Sequence, residues 1–177
     1  YQEIDYSETT SRAILSHAYN EDFLVYASYS KGYSSGGFNQ DVRMKPFLPE
    51  VSDNYEVGFK STLRDGTVRL NATYFSTIYE NQQITVGRII DGQPTADIVN
   101  ANEADLSGLE FELVAQLTDN LALTMTYGLL DGEYNDFNVV DTLYDPATFV
   151  STDVLRDLSA TPFGGSGDNG KSNTFDI

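Results

Sequence analysis

The chain has no cysteine, no tryptophan and a single histidine, His17, in 177 residues. Without cysteine there is neither a disulfide scaffold nor a thiolate metal site. One histidine excludes a histidine-rich metal site, and its neighbours supply no nucleophile elbow for a serine triad, so His17 reads as an interfacial side chain. Positive charge is scarce: ten Lys and Arg stand against 27 Asp and Glu, a formal net charge of −17. That sign excludes a sequence-independent grip on nucleic acid. No uncharged apolar run approaches the ~20 residues of a spanning helix, and no secretory h-region opens the sequence. A helical membrane protein is thereby excluded, whereas a mature or internal piece of a longer protein is not. What is present is 12 Tyr, 10 Phe and 14 Gly, a composition that leans towards β structure.

Six segments alternate apolar with polar or small residues, and no helical stripe is sustained, so the expected class is all-β. In 105–117, Leu109, Phe111, Leu113, Ala115 and Leu117 share one face while Glu110, Glu112 and Gln116 share the other. In 121–129, Leu121, Leu123, Met125, Tyr127 and Leu129 oppose Ala122, Thr124, Thr126 and Gly128. A turn at Thr118-Asp119-Asn120 that sets Leu117 against Leu121 puts Glu112 opposite Thr126 and Glu110 opposite Gly128, keeping both faces consistent. A second hairpin joins Tyr55, Val57, Phe59, Ser61 and Leu63 to Val68, Leu70, Ala72 and Tyr74. Its Asp65-Gly66 pair suits a type I′ turn, which sets Lys60 opposite Asn71 and Thr62 opposite Arg69. The first hairpin runs from Ala13, Leu15, His17 and Tyr19 through Asn20-Glu21-Asp22 into Phe23, Val25, Ala27 and Tyr29.

These tight turns alternate with long segments, 34–53, 76–104 and 131–172, which read as loops. In an antiparallel up-and-down sheet alternate connections lie at one end, so the chain has a tight-turn end and a large-loop end. Transmembrane β-barrels have that asymmetry. Charge follows the same division. Among the strand cores the acids are Glu56, Glu110 and Glu112, all on the polar parity. A soluble sandwich usually carries dense Lys and Glu on its outward face; here that face is mostly Gly, Ala, Ser, Thr, Asn and Gln, as in a wet barrel lumen. Glu56, Lys60, Arg69, Asn71, Glu110 and Glu112 are therefore expected to face the lumen. Leu109, Phe111, Leu113, Leu121, Leu123 and Met125 are expected to face lipid. Lys31 breaks the rule, sharing parity with Tyr29, and is placed above the hydrocarbon at the loop end. Tyr19 and Phe23 at the turn end, with Tyr29, Tyr33, Tyr74, Tyr79, Tyr127 and Tyr134 towards the loops, fit interfacial girdles; the plainer reading is that Tyr and Phe favour strands.

Four blocks are similar, in order, to successive parts of the barrel of TonB-dependent outer-membrane receptors: VYASYSKGYSSGGFN (25–39), FLPEVSDNYEVGFKS (47–61), RLNATYFSTIYENQQ (69–83) and GLEFELVAQLTDNLALTMTYGLLDGEYNDF (108–137). The resemblance implies a barrel of about 22 strands with a plugged lumen in the bacterial outer membrane. It also implies energised uptake of a scarce nutrient, most often a ferric siderophore, with TonB engaged through the plug. Neither the plug domain nor the closing aromatic-ended strand is found here. Residues 1–177 are thus expected to be one partial barrel domain of six strands plus the start of a seventh at 173–177, too few to close.

The remaining motifs weaken on inspection. GSGDNGKS at 165–172 matches the phosphate-binding loop formally, but lacks the preceding buried strand and the following helix, so it reads as a Gly-rich surface loop. Glu110 and Glu112 lie about 7 Å apart on one strand face, a spacing glycoside hydrolysis uses and any strand with alternating glutamates shows. With no cleft or supporting partner, no catalytic residue and no cofactor is expected. Asp131, Glu133, Asn135 and Asp136 resemble part of a calcium loop without its glycine and terminal glutamate, which leaves at most a loose outer cation contact and no resident metal. In the loop at 40–50, Arg43 and Lys45 are the best local cations for an anionic chelate, with Tyr33 and Phe38 as stacking surface. Two rivals stay open: a non-energised porin, and a soluble secreted β-sandwich that binds carbohydrate.

Overall fold

The computed structural model describes residues 3–40, 45–90, 93–145 and 150–160. They form β1 (Arg12–Asn20), β2 (Phe23–Ser34), β3 (Glu50–Leu63), β4 (Val68–Ile90), β5 (Gln93–Thr118), β6 (Leu121–Asp136), β7 (Asn138–Asp145) and β8 (Val150–Asp157). No helix occurs among the described residues. β1 to β6 make one antiparallel sheet in sequence order, and β7 with β8 a separate two-stranded sheet. The all-β, up-and-down expectation holds, and the six-stranded sheet is open at both edges.

The turns behave as local chemistry dictates. Arg64, Asp65 and Gly66 have φ of 53°, 53° and 89°, and the Thr67 N–H donates to the Arg64 carbonyl at 3.2 Å, the type I′ geometry around Asp65-Gly66. Lys60 then pairs with Asn71 and Thr62 with Arg69, as the turn predicts. Glu112 pairs with Thr126 and Glu110 with Gly128. Leu117, however, does not face Leu121: a bulge between Gln116 and Thr118 makes Thr118 the partner of Leu121, because the connection is two residues rather than three. The same shift occurs in the first hairpin, where Asn20 pairs with Phe23 and only Glu21 and Asp22 form the turn.

The larger difference lies at the other end. Segment 76–104 is not a loop: β4 has 23 residues and β5 has 26, paired as far as Ile90 with Gln93. Segment 131–172 likewise contains the end of β6 and the β7–β8 hairpin, giving eight strands among the described residues. At ~3.3 Å per residue β5 is roughly 85 Å long. The period-two pattern disappears here because Ser76, Thr77, Glu80, Gln82 and Gln83 put polar groups on both parities, while backbone ladder bonds continue regardless of side-chain character. Asn81, at φ 55°, interrupts the ladder between the Glu80–Glu103 and Gln82–Ala101 pairs. The strand expected at 173–177 and the GSGDNGKS segment lie outside the described residues.

The sheet is a single layer. Buried apolar side chains are Ala101, Ala104, Ala115 and Phe137, small groups within the sheet plus one ring. On the row expected to face lipid, Leu109, Leu121, Leu123 and Met125 are 40% to 55% exposed, and Phe111 and Leu113 are half-buried. No second sheet or packed helix among the described residues covers them, as a sandwich requires. Ser61, which shares the apolar parity, is buried and donates its hydroxyl to the Leu70 carbonyl at 2.8 Å, so it presents no free donor.

Candidate functional site

The opposite face carries several groups of hydrogen-bonded side chains. Tyr26 on β2 pairs with Gly58 on β3, which pairs in turn with Thr73 on β4. The Tyr26 ring lies across Gly58 and its hydroxyl meets Thr73 Oγ1 at 2.7 Å, tying three strands with one side chain. Only glycine permits this, since a Cβ at position 58 would stand 2.8 Å from the ring and 2.6 Å from the Ala72 carbonyl. Phe75 covers Gly108 in the same way, at 2.6 Å from a would-be Cβ. The aromatic rings thus lie flat against the wall.

Polar groups fill the space between them. Glu56 accepts from Asn54 Nδ2 at 2.8 Å and from Ser28 Oγ at 3.4 Å, and Thr77 Oγ1 donates to Asn54 Oδ1 at 2.8 Å. Asn54, Glu56 and Thr77, with Tyr26, Thr73, Phe75 and Glu110, line a hollow of about 390 Å³. Lower down, Asn71 Nδ2 donates to Glu112 at 2.9 Å, and Lys60 Nζ stands 6.0 Å from the Tyr26 ring centroid, the outer reach of a cation–π contact. Arg69 is exposed between Thr62 and Val114. Glu56, Lys60, Arg69, Asn71, Glu110 and Glu112 share one parity of the sheet, and Glu56 and Glu112 accept from amide donors that sequence reasoning left out. Tyr26, Asn54, Thr73 and Phe75 were missed because β2 and β3 are joined by a long connection and the outer parts of β4 and β5 carry no alternation, so no turn legible in the sequence fixes these pairings.

β2 runs to Ser34, making Tyr33 a strand residue opposite Val51, its hydroxyl buried with no partner among the described residues. Phe38 and Lys45 are exposed in the connection that follows. Arg43 lies outside the described residues. Lys31 pairs with Glu8, whose hydrogen bond holds the ammonium pKa above its usual range. Burial raises the Tyr79 and Tyr134 phenols, with the Glu50 charge adding to the rise at Tyr79. Asp131 and Glu133 are strand residues of β6 rather than members of a calcium loop, and Asn135 Nδ2 donates to Glu103 at 3.0 Å and Asp105 at 2.8 Å. No group of three or more metal-ligating side chains forms among the described residues.

A single-layer, sequential antiparallel sheet, apolar and uncovered on one side and hydrogen-bonded on the other, defines a wall of a β-barrel. The chain matches the family of TonB-dependent receptor-like β-barrels over residues 1–170 and belongs to it. That family is one of transport receptors rather than enzymes. Its relatives include the pesticin receptor of Yersinia enterocolitica, 34% identical over 96 residues, covering 52% of this chain and 13% of the relative. The ferric-pyoverdine M114 receptor PbuA of Pseudomonas sp. is 26% identical over 147 residues, covering 82% of this chain and 15% of the relative. In fold, the chain resembles the siderophore receptor PiuA of Acinetobacter baumannii, with TM-score 0.56 and 22% identity over 80% of this chain and 20% of that one. This chain therefore spans a fifth or less of the length of these receptors.

Proposed function

We propose that this chain is part of an outer-membrane receptor for TonB-dependent uptake of a ferric siderophore. The observation that carries the reading is the combination of family membership with a sheet whose two faces differ so completely. Leu109, Phe111, Leu113, Leu121, Leu123 and Met125 meet acyl chains; Glu56, Lys60, Arg69, Asn71, Glu110 and Glu112 line the lumen. A spanning strand needs about 9–11 residues, so β4 and β5 project far beyond the outer leaflet. That projection, with Phe38 and Lys45 beside it, forms part of the rim where an anionic iron chelate arrives. Energy from TonB reaches the barrel through the plug of the whole receptor. The names of the relatives favour this receptor over a non-energised porin, and the absence of a second layer over the apolar row among the described residues speaks against a carbohydrate-binding sandwich.

The test is iron uptake. The intact gene, expressed in a Gram-negative strain lacking its own siderophore receptors, is expected to restore ⁵⁵Fe accumulation from at least one of a trihydroxamate, a tricatecholate and a mixed-ligand chelate. Accumulation should vanish when tonB is deleted. Uptake that persists without TonB would identify a passive channel.

A further inference from the structure

Above the end of β3 the β4–β5 hairpin has no neighbouring strand among the described residues, and the connection from β2 to β3 folds onto it. Gly37 and Phe47 exchange backbone hydrogen bonds at 3.1 and 2.9 Å, drawing the two limbs of that connection together. Two reciprocal amide pairs then fasten it. The Asn39 carboxamide donates to the Ile98 carbonyl at 2.9 Å and accepts from the Ile98 N–H at 2.7 Å, the same two-bond ring a neighbouring strand would close. In the opposite direction Asn100 reaches from β5: its Oδ1 accepts from the Leu48 N–H at 2.8 Å and its Nδ2 donates to the Leu48 carbonyl at 3.1 Å. Gln83 Nε2 adds bonds to the carbonyls of Ser35 at 3.0 Å and Leu48 at 3.2 Å. Asn100 Nδ2 also donates to the Asn81 carbonyl at 2.7 Å, which fixes the amide on its own hairpin before it meets the connection.

We infer that residues 35–40 and 45–49 form a fixed outer wall of the ligand vestibule, held by Asn39, Gln83 and Asn100 as positioning residues, and do not act as a lid that lifts with each cycle. The inference rests on the receptor reading above. Lifting the connection would strip the Ile98 and Leu48 backbone groups of their partners together, and with them both Gln83 contacts. A docked wall instead keeps Phe38, next to the anchored Asn39, and Lys45 presented before ligand arrives, so that binding incurs no loop-ordering cost.

Two measurements on the full-length receptor decide it. In amide hydrogen exchange of the detergent-solubilised protein, Asn39→Ala is expected to lower protection of the Ile98 N–H at least tenfold, leaving Glu112 in the membrane-level ladder unchanged. Asn39→Asp keeps the acceptor and loses the donor, so it should recover part of that protection. Equal Ile98 exchange in wild type and Asn39→Ala overturns the docking. The second measurement is a cysteine pair, Asn39→Cys with Ile98→Cys, tested with ⁵⁵Fe on a trihydroxamate and on a tricatecholate. Uptake by the oxidised pair should stay within twofold of the reduced pair; uptake lost on oxidation and regained on reduction identifies a lid and overturns the wall. If wild type transports neither of these nor the mixed-ligand chelate, the uptake reading fails while the exchange result still decides whether the wall is docked.

Discussion

The lower and outer halves of the same sheet satisfy their polar groups in different ways. In the lower half each backbone ladder from β2 to β5 has strands on both sides, so on the polar face side chains bond mainly to side chains: Tyr26 to Thr73, Asn71 to Glu112, Asn54 to Glu56. In the outer half β3 begins at Glu50 and β6 ends at Asp136, leaving the β4–β5 extension with open edges. There, carboxamides bond to backbone: Asn39 to Ile98, Asn100 to Leu48, Gln83 to Ser35. A strand edge presents unpaired N–H and C=O groups that need partners, and asparagine and glutamine carry a donor and an acceptor in the peptide's own geometry. One sheet therefore uses polar side chains in two ways for two kinds of backbone environment.

Charge placed in the lower half should distinguish its two faces most strongly. Met125→Arg, on the uncovered face at mid-strand, is expected to destabilise the lipid-refolded receptor by about 2–4 kcal/mol, whereas Thr124→Arg on the polar face should change little. Denaturant titration of the two variants in the same vesicles measures the gap, and equal losses would erase the distinction between faces. Next comes the three-strand tie. Gly58→Val drives a side chain into the Tyr26 ring and the Ala72 carbonyl, and the overpacking should cost about 1–3 kcal/mol by the same titration. Tyr26→Phe keeps the ring over Gly58 and removes the bond to Thr73, for a smaller loss of about 0.5–1.5 kcal/mol.

The smallest effect concerns the base of the β7–β8 hairpin. There the Leu158 N–H donates to the Phe137 carbonyl at 2.7 Å, and the Ser159 hydroxyl accepts from the Phe137 N–H at 3.1 Å. Hydrogen bonds from the Ser159 side chain and backbone hold the Asp157 pKa below its usual value. A depressed folded-state pKa stabilises above the unfolded value, and that contribution is lost as pH falls through the folded one. Exchange of the Leu158 and Ser159 amides should therefore accelerate below about pH 4 beyond the intrinsic trend. Asp157→Asn should abolish this extra acceleration; an unchanged profile would detach the carboxylate from the hairpin base.

How legible each half was follows from the same contrast. Where one face is apolar, alternation exposes the strand, and a short turn such as Asp65-Gly66 then fixes the register by counting, which is why the partners of Lys60 and Glu112 could be read off directly. Where both faces are wet, as along 76–104, alternation has nothing to sort and the strands look like a loop. The bulge at Leu117 was equally hidden, since a two-residue connection and a three-residue one leave the same hydrophobic pattern.

The order of residues by itself determined the fold class, the tight-turn end, the two faces and the registers across those turns, because each depends on neighbours a few positions apart. Only the tertiary structure decided which residues far apart in the sequence meet: Tyr26 over Gly58 to Thr73, Phe75 over Gly108, Asn39 on Ile98. Those meetings depend on how far each strand extends before it turns, and backbone hydrogen bonding that is indifferent to side-chain identity sets that length.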